Sequence, residues 1–146
     1  GVSNREHIIA RSWYPSSANY VNDYINVIYS NKEANSTRED RKFGNINMKD
    51  AITIMDGDLI VGYISDEYFM PTDEYKGDVA RIVLYMYVTY KDDALPKEYT
   101  DINLMKLWSR IDPVDAGEHQ RNETIYREYG YRNKFVSTPW LVGFVV

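Results

Sequence analysis

The chain of 146 residues contains no cysteine, and this absence removes several kinds of chemistry. Without cysteine there are no disulfides, no thiolate metal ligands and no cysteine nucleophile. Histidine is nearly absent as well, with two residues in the whole chain. No apolar run approaches the ~18 residues that a transmembrane helix needs, so we expect no membrane span.

An excess of positive charge is also missing, because the formal net charge is -5. No global positive field therefore attracts nucleic acid, and any phosphate-binding surface must be a local cluster of arginines. What the chain does have is tyrosine, with 14 Tyr against four Phe and three Trp. Its length and its 44% hydrophobic content predict one domain, residues 1–146, with its own core, and we expect a monomer.

The first 45 residues predict the order strand, loop, strand, helix. The runs "EHIIA" and "YINVIY" are rich in β-branched residues, and the segment between them, "RSWYPSSANYVND", contains the proline and serines typical of a loop. The next segment, "SNKEANSTREDRKFG", has helix-forming residues. We expect this helix to begin after Ser30 as N-cap and to end at Gly44.

Residues 46–146 predict a hairpin followed by helices, which makes the whole chain α+β. In "AITIMDGDLIVGY" the dipeptide Asp-Gly separates two β-prone runs. A helix should follow Thr72, and apolar residues at helical spacing mark its buried face: Val79, Ile82, Val83, Met86 and Tyr90. A further helix is expected in "TDINLMKLWSRI", with Leu104, Leu107 and Trp108 facing inward. The last begins near Pro113 and Asp115 and ends at Gly130.

Adjacent Glu6 and His7 form a pair with a coherent chemistry, although such a pair alone is weak evidence and a surface accident is its plainer explanation. Neighbours in a strand point to opposite faces, so the two serve one site only in different roles or where the strand ends irregularly. A carboxylate is a suitable ligand for Mg²⁺, which keeps most of its waters. A neutral imidazole is a suitable base for taking a proton from water.

A second group of polar residues lies on the expected first helix. Asn35, Arg38 and Glu39 share one face, because they stand at i, i+3 and i+4. The amide oxygen of Asn35 could complete a site with Glu6 if this helix packs across the two strands, and Asn26 could orient the base. A solvated helix face and a strand-edge asparagine are the plainer interpretations of the same residues.

Five blocks in order give the chain a family resemblance: "REHIIARSW", "NDYINVIYSNKEANSTREDRKFG", "KGDVARIVLYM", "IDPVDAGEHQRN" and "GYRNKF". Together they resemble the endonuclease I family of nonspecific nucleases. The resemblance implies a ββα-metal, or His-Me finger, core in residues 1–45, with residues 46–146 as a supporting hairpin and helices. Departures from the family pattern, such as Ala10 and Asp40, leave Glu6, His7 and Asn35 in place.

The resemblance also implies roles for individual residues. Glu6 and Asn35 match the metal ligands and His7 the general base, while Asn26 falls on a strand position that carries His or Asn in the family. The candidate phosphate contacts are Arg5, Arg11, Arg38, Arg81, Arg121 and Arg132. The implied cofactor is one divalent ion, Mg²⁺, with Mn²⁺ or Ca²⁺ as substitutes. Trp13 is either a base-stacking or a core residue, and His119 is expected to be a surface or packing residue.

The function implied by the resemblance is sequence-independent hydrolysis of DNA and RNA by an exported endonuclease, with 5′-phosphate and 3′-hydroxyl products. One alternative is a catalytically silent nucleic-acid-binding module of the same fold, which would need none of Glu6, His7 and Asn35. A tyrosine-rich structural or protein-binding domain is the other alternative, and the negative net charge favours it.

Overall fold

Two short strands and a helix lie next to one another at the start of the chain. The computed structural model describes residues 3–13, 22–90 and 101–146. Strand β1 (Ser3–His7) pairs antiparallel with β2 (Val27–Asn31), from Ser3 opposite Asn31 to His7 opposite Val27. Helix α1 (Lys32–Arg38) follows directly. The predicted order is therefore confirmed, although residues 14–21 of the expected loop lie outside the described residues, and Arg11–Trp13 within it form a short 3-10 helix.

Helix α1 is shorter than the sequence predicts, and both of its expected ends were wrong. Its N-cap is Asn31 rather than Ser30, because the Asn31 side chain accepts from the backbone N–H groups of Glu33 and Ala34. The helix ends at Arg38, since Glu39 has a positive φ of 55° that a continuing helix does not allow. The residues leading to Gly44 instead form strand β3.

A second sheet has the strand order β3-β6-β5-β4, and the predicted hairpin forms its outer half. It consists of β3 (Lys42–Phe43), β4 (Ile52–Asp56), β5 (Leu59–Ile64) and β6 (Tyr68–Met70). Strands β3 and β6 are parallel, and the other pairs are antiparallel. Helix α1 contacts β4 and β5 as well as β1 and β2, so it lies between the two sheets.

The remaining helices confirm the α+β class. They are α2 (Asp73–Thr89), α3 (Ile102–Ile111), α4 (Ala116–Tyr129) and α5 (Lys134–Ser137), followed by a 3-10 helix (Pro139–Phe144). Helix α2 begins after Thr72, and α4 begins after Asp115 and ends before Gly130, as predicted. No helix among the described residues is long and apolar enough to cross a bilayer.

The core forms where α2 and α3 pack together and against the segment that follows β1. Four of the five residues predicted for the inner face of α2 are buried, and Tyr90 is partly buried. In α3, Trp108 is buried as predicted. Leu107 is 41% exposed instead, and Met105 takes the inward position because it lies three residues before Trp108 on the same helix face.

One aspartate joins the turn before β2 to helix α2. The Oδ2 atom of Asp23 accepts hydrogen bonds from the hydroxyls of Tyr85, at 2.8 Å, and of Tyr90, at 2.5 Å. Its Oδ1 atom accepts from the backbone N–H of Ile25, which shapes the turn itself. The segment that carries β2 is therefore held by the helical half of the molecule.

Candidate functional site

Helix α1 lies across one face of β1 and is attached there by a buried ion pair. The Nη1 atom of Arg38 donates to Oε1 of Glu6 at 2.9 Å, with 1% of the Arg38 side chain exposed and 11% of the Glu6 side chain. Arg38 also donates to the carbonyl oxygens of His7, Ile8 and Arg41. Burial lowers the pKa of Arg38, and the charge of Glu6 opposes that change. The pair fixes one carboxylate oxygen of Glu6.

Asn35 reaches the same face of β1 from one turn earlier in α1. Its Nδ2 donates to Oδ1 of Asn4 at 2.7 Å and to the carbonyl oxygen of Arg5 at 3.1 Å. A carbonyl oxygen only accepts, so the atom facing it must be the amide nitrogen. The Asn35 oxygen accepts no hydrogen bond from the residues that the structure describes, and it is the atom left for a ligand.

The structure therefore brings Glu6 and Asn35 together on one face of β1, as the sequence predicts. Asn4 and Glu6 alternate with Arg5 along the strand, so their side chains share the face that α1 covers. Each residue retains one oxygen that no described residue occupies, Oε2 of Glu6 and Oδ1 of Asn35. Two hard oxygen ligands with the rest of the coordination left to water fit a divalent ion of the Mg²⁺ type.

His7, at the last position of β1, is held by a residue that the sequence interpretation missed. Its Nε2 lies 2.9 Å from Oδ1 of Asn22, and Nη2 of Arg11 donates to the same oxygen at 2.8 Å. A guanidinium only donates, so the shared atom must be the amide oxygen. The hydrogen of a neutral imidazole then lies on Nε2, which leaves Nδ1 with its lone pair. Such a nitrogen can accept a proton.

Asn26 has a different partner from the one that we expected. Its buried side chain accepts from the Ile9 N–H at 2.8 Å and donates to the Ile9 carbonyl at 3.2 Å. These two bonds continue the pairing of β1 and β2 beyond His7, where the backbone leaves regular strand geometry. Asn26 thus shapes the backbone that follows His7, and the imidazole is oriented by Asn22.

Two of the six candidate arginines are buried, and their expected role changes accordingly. Arg38 makes the contacts described above, and Arg81 is fully buried in α2. The guanidinium of Arg81 binds both carboxylate oxygens of Glu118, at 2.6 and 2.7 Å, and the carbonyl of Ser109 at 3.0 Å. A buried guanidinium whose donors already face protein oxygens does not offer a phosphate contact, so both residues hold elements together.

The other four arginines are more accessible, in different settings. One nitrogen of Arg121 donates to the carbonyl oxygens of Tyr24, Ile25 and Val27, which attaches α4 to the turn before β2, and burial lowers the pKa of Arg121. Arg132 pairs with Glu123 and lies over the ring of Tyr126. Arg5, on β1, and Arg11, in the 3-10 helix that follows, are exposed, and Arg11 shares the Asn22 oxygen with His7.

A separate group of three carboxylates suits a divalent ion and was not predicted. Asp78, Asp115 and Glu118 place one oxygen each within 4.8 Å of one another. Burial, followed by the charges of the neighbouring carboxylates, raises the pKa of Asp78 to about 8. Glu118 is also the partner of Arg81, so part of the charge is compensated within the protein.

Neither Trp13 nor His119 belongs to the site at the end of β1. Trp13 is buried, and its indole N–H donates to the carbonyl of Asp40, so its position is that of a core residue. His119 is exposed on α4 and lines a surface cleft of about 510 Å³ together with residues of α3 and Trp140. The plainer interpretation of both residues fits the structure.

Comparison with known proteins adds evidence that is independent of this geometry. The family model described as Endonuclease I matches residues 1–140. Two extracellular ribonucleases, from Bacillus amyloliquefaciens and Bacillus subtilis (strain 168), are each 32% identical to the chain, over 159 and 156 residues. Each alignment covers 95% of this chain and 52% of the relative. The chain thus spans about half the length of these curated relatives.

Proposed function

Because the chain belongs to the endonuclease I family, we propose that it is a Mg²⁺-dependent endonuclease that hydrolyses DNA and RNA with little sequence preference. The products carry 5′-phosphate and 3′-hydroxyl ends. Residues 1–146 form a single nuclease domain, and the protein acts as a monomer outside the cell, in keeping with the names of its relatives. The observation that carries the proposal is the arrangement of Glu6, His7 and Asn35 at the end of β1.

In this mechanism His7 is the general base. Its Nδ1 takes a proton from the water that attacks phosphorus, while the bond from Nε2 to Asn22 keeps the ring in one orientation and in one tautomer. Glu6 and Asn35 would hold the divalent ion, which supplies Lewis-acid stabilisation of charge on the phosphate and on the leaving 3′ oxygen. The ion pair with Arg38 keeps the Glu6 carboxylate facing the site.

Substrate binding depends on few positive groups. Arg5 and Arg11 are exposed on either side of His7 in the sequence and are suited to contact phosphates that flank the scissile bond. Contacts to phosphate alone carry no direct sequence information, so specificity is low. On a body of net charge -5, binding by a few arginines weakens steeply with salt.

The test is cleavage of a supercoiled plasmid at low salt, with Mg²⁺ and with EDTA, by the wild-type protein and by His7→Ala. His119→Ala is the matched control, because it removes the chain's other histidine. We expect nicking that requires Mg²⁺, falls by about 100- to 10,000-fold in His7→Ala and persists in His119→Ala. Equal cutting by His7→Ala would place the base elsewhere. DNA binding without any cutting would favour the silent binding module.

The metal ligands need a separate readout, because loss of activity alone does not identify them. Glu6→Gln and Asn35→Ala should weaken Mn²⁺ binding in titrations monitored by electron paramagnetic resonance. Glu33→Gln, exposed on the first turn of α1, is the control for a carboxylate that holds no metal. Unchanged Mn²⁺ affinity in both site variants would mean that the ion binds at another position. The cluster of Asp78, Asp115 and Glu118 would then be the next position to test.

A further inference from the structure

Two exposed tyrosines form a parallel stack beside the site. The rings of Tyr24, in the turn before β2, and Tyr129, in the last turn of α4, have centroids 3.8 Å apart and planes 9° from parallel. Each residue is 50% exposed. We call this pair the tyrosine stack. Two half-exposed aromatic rings in contact present a flat surface to solvent that the hydrophobic core does not require.

The tyrosine stack is joined to the site at both of its members. Tyr24 lies two residues after Asn22, which binds His7. The pKa of Tyr129 is raised mainly by a hydrogen bond with Tyr24, and the positive charge of Arg5 opposes the rise. Arg5 and His7 are two residues apart on the same face of β1, which is a distance of ~7 Å. Tyr24 therefore lies two residues from the side chain that holds the base.

Holding the turn in place does not require the tyrosine stack. The backbone N–H of Tyr24 donates to the hydroxyl of Tyr131, and the Tyr24 carbonyl accepts from Arg121. Asp23 is bound by Tyr85 of α2 and by Tyr90 directly after that helix. These hydrogen bonds already attach the turn to α2, to α4 and to the segment after it. Anchoring of the turn therefore does not explain why the two rings are stacked and exposed.

The chemistry of this surface suits an unpaired nucleic acid strand. Bases stack on aromatic side chains, and each such contact contributes ~1–3 kcal/mol with little regard to base identity. The bases of a duplex already stack on one another, so their faces are not available. Arg5 and Arg11 supply positive charge for the backbone of the strand, while Glu128 beside Tyr129 and Asp23 beside Tyr24 carry negative charge that opposes its binding.

We propose that the tyrosine stack is a base-stacking platform that guides single-stranded RNA or DNA into the site at the end of β1. The proposal rests on the proposed nuclease function and specifies its substrate class, namely unpaired strands in preference to duplexes. RNA and DNA share the base faces that the platform recognises, so both single strands should use it.

The experiment compares steady-state cleavage of a short unstructured RNA, of the matching DNA strand and of the DNA duplex. The variants are Tyr24→Ala and Tyr129→Ala, with Tyr75→Ala as control, because Tyr75 is 57% exposed at the start of α2. We expect KM for single strands to rise ~5- to ~150-fold in the two stack variants, as the loss of one stacked base implies. Their kcat, and their KM for the duplex, should stay within about twofold of wild type.

Tyr129→Phe separates stacking from the structural role of the hydroxyl. The ring is retained, so single-strand KM should remain near the wild-type value. If single-strand KM rises as much in Tyr129→Phe as in Tyr129→Ala, the hydrogen bond between Tyr129 and Tyr24 is responsible and not ring stacking. That result would overturn the platform. An equal rise of KM for single strands and for the duplex in the alanine variants, or no rise for either substrate, would also overturn it. A loss confined to RNA would support the platform and assign it to ribonucleotides.

Direct binding keeps this proposal distinct from the proposed catalysis. Fluorescence anisotropy of a labelled single-stranded oligonucleotide in EDTA needs no turnover. Weaker binding by Tyr129→Ala would support the platform even if the wild-type protein cuts nothing, a result that would contradict only the nuclease mechanism. Unchanged binding in a protein that cuts normally would contradict only the platform.

Discussion

The Nε2 atom of His7 lies 2.9 Å from the Oδ1 atom of Asn22, fifteen residues further along the chain. Arg11 donates to the same Asn22 atom, which must therefore be the amide oxygen, an acceptor, whatever the protonation of the imidazole. The proposed base therefore has one tautomer, with Nδ1 available.

Asn22→Ala should lower kcat by on the order of 10- to 100-fold, because the imidazole loses the bond that holds its orientation. Asn22→Asp keeps an oxygen in place but adds a negative charge that stabilises the protonated ring. The acidic limb of its pH–rate profile should therefore move to higher pH. Asn103→Ala, exposed on α3, serves as the control. An acidic limb in Asn22→Asp that coincides with the wild-type limb would contradict the role assigned to Asn22.

Arg38→Met should reduce the free energy of unfolding by ~3–5 kcal/mol, because it leaves the Glu6 carboxylate and three backbone carbonyls without their buried donor. Urea denaturation measures this loss. Arg110→Ala, at an exposed position on α3, should change stability by less than about 0.5 kcal/mol. A loss in Arg38→Met no larger than that of the control would mean that the ion pair does not hold α1 to β1.

Asp78→Asn should remove a decline of stability that the wild-type protein shows between pH 3.8 and about pH 8. Burial, with the charges of Glu118, Asp115 and Asp112, raises the Asp78 pKa from 3.8 to about 8. Between these values the folded state binds a proton that the unfolded state has lost, so wild-type stability falls as pH rises through this range. Thermal unfolding in EDTA from about pH 5 to about pH 8 measures the slope, which should be smaller in the variant. Parallel curves would be inconsistent with a protonated Asp78.

Gly77→Ala should destabilise the protein although alanine is the better helix former by ~1 kcal/mol. A β-carbon at position 77 would lie 2.0 Å from the carbonyl oxygen of Asp112, where α2 approaches the end of α3. The expected cost of such overpacking is ~1–3 kcal/mol. Gly117→Ala is the matched control, since its β-carbon meets nothing nearer than 3.5 Å and the change should stabilise α4 slightly. Stabilisation by both changes would show that α2 can move away from Asp112.

Local patterns predicted the elements whose signals lie within a few neighbouring residues. The hairpin turn at Gly57, the start of α2 and both ends of α4 depend on turn and capping residues that stand next to the elements they define. The family resemblance identified Glu6, His7 and Asn35 as a group, and the geometry places α1 where that grouping needs it. These three roles remain predictions until the variants are measured.

Contacts between distant residues were the part that local patterns did not predict. The parallel pairing of β3 with β6 joins residues 26 apart, and no short motif indicates it. Asn22 belongs to no periodic run, so only its contact with His7 distinguishes it from the other asparagines. Arg38 and Arg81 resemble surface arginines in the sequence, and their burial depends on carboxylate partners 32 and 37 residues away.

The hydrogen bonds of Asp23 have a consequence for work in alkaline solution. Tyr85 and Tyr90 both have raised pKa values, first because of burial and then because their hydroxyls bind the Asp23 carboxylate. If the two hydroxyls ionised near pH 10, as ordinary tyrosines do, the phenolates would repel the Asp23 carboxylate, and the turn would separate from α2. Since these two retain their protons, the segment that carries Asn22 stays anchored at pH values where exposed tyrosines have lost theirs.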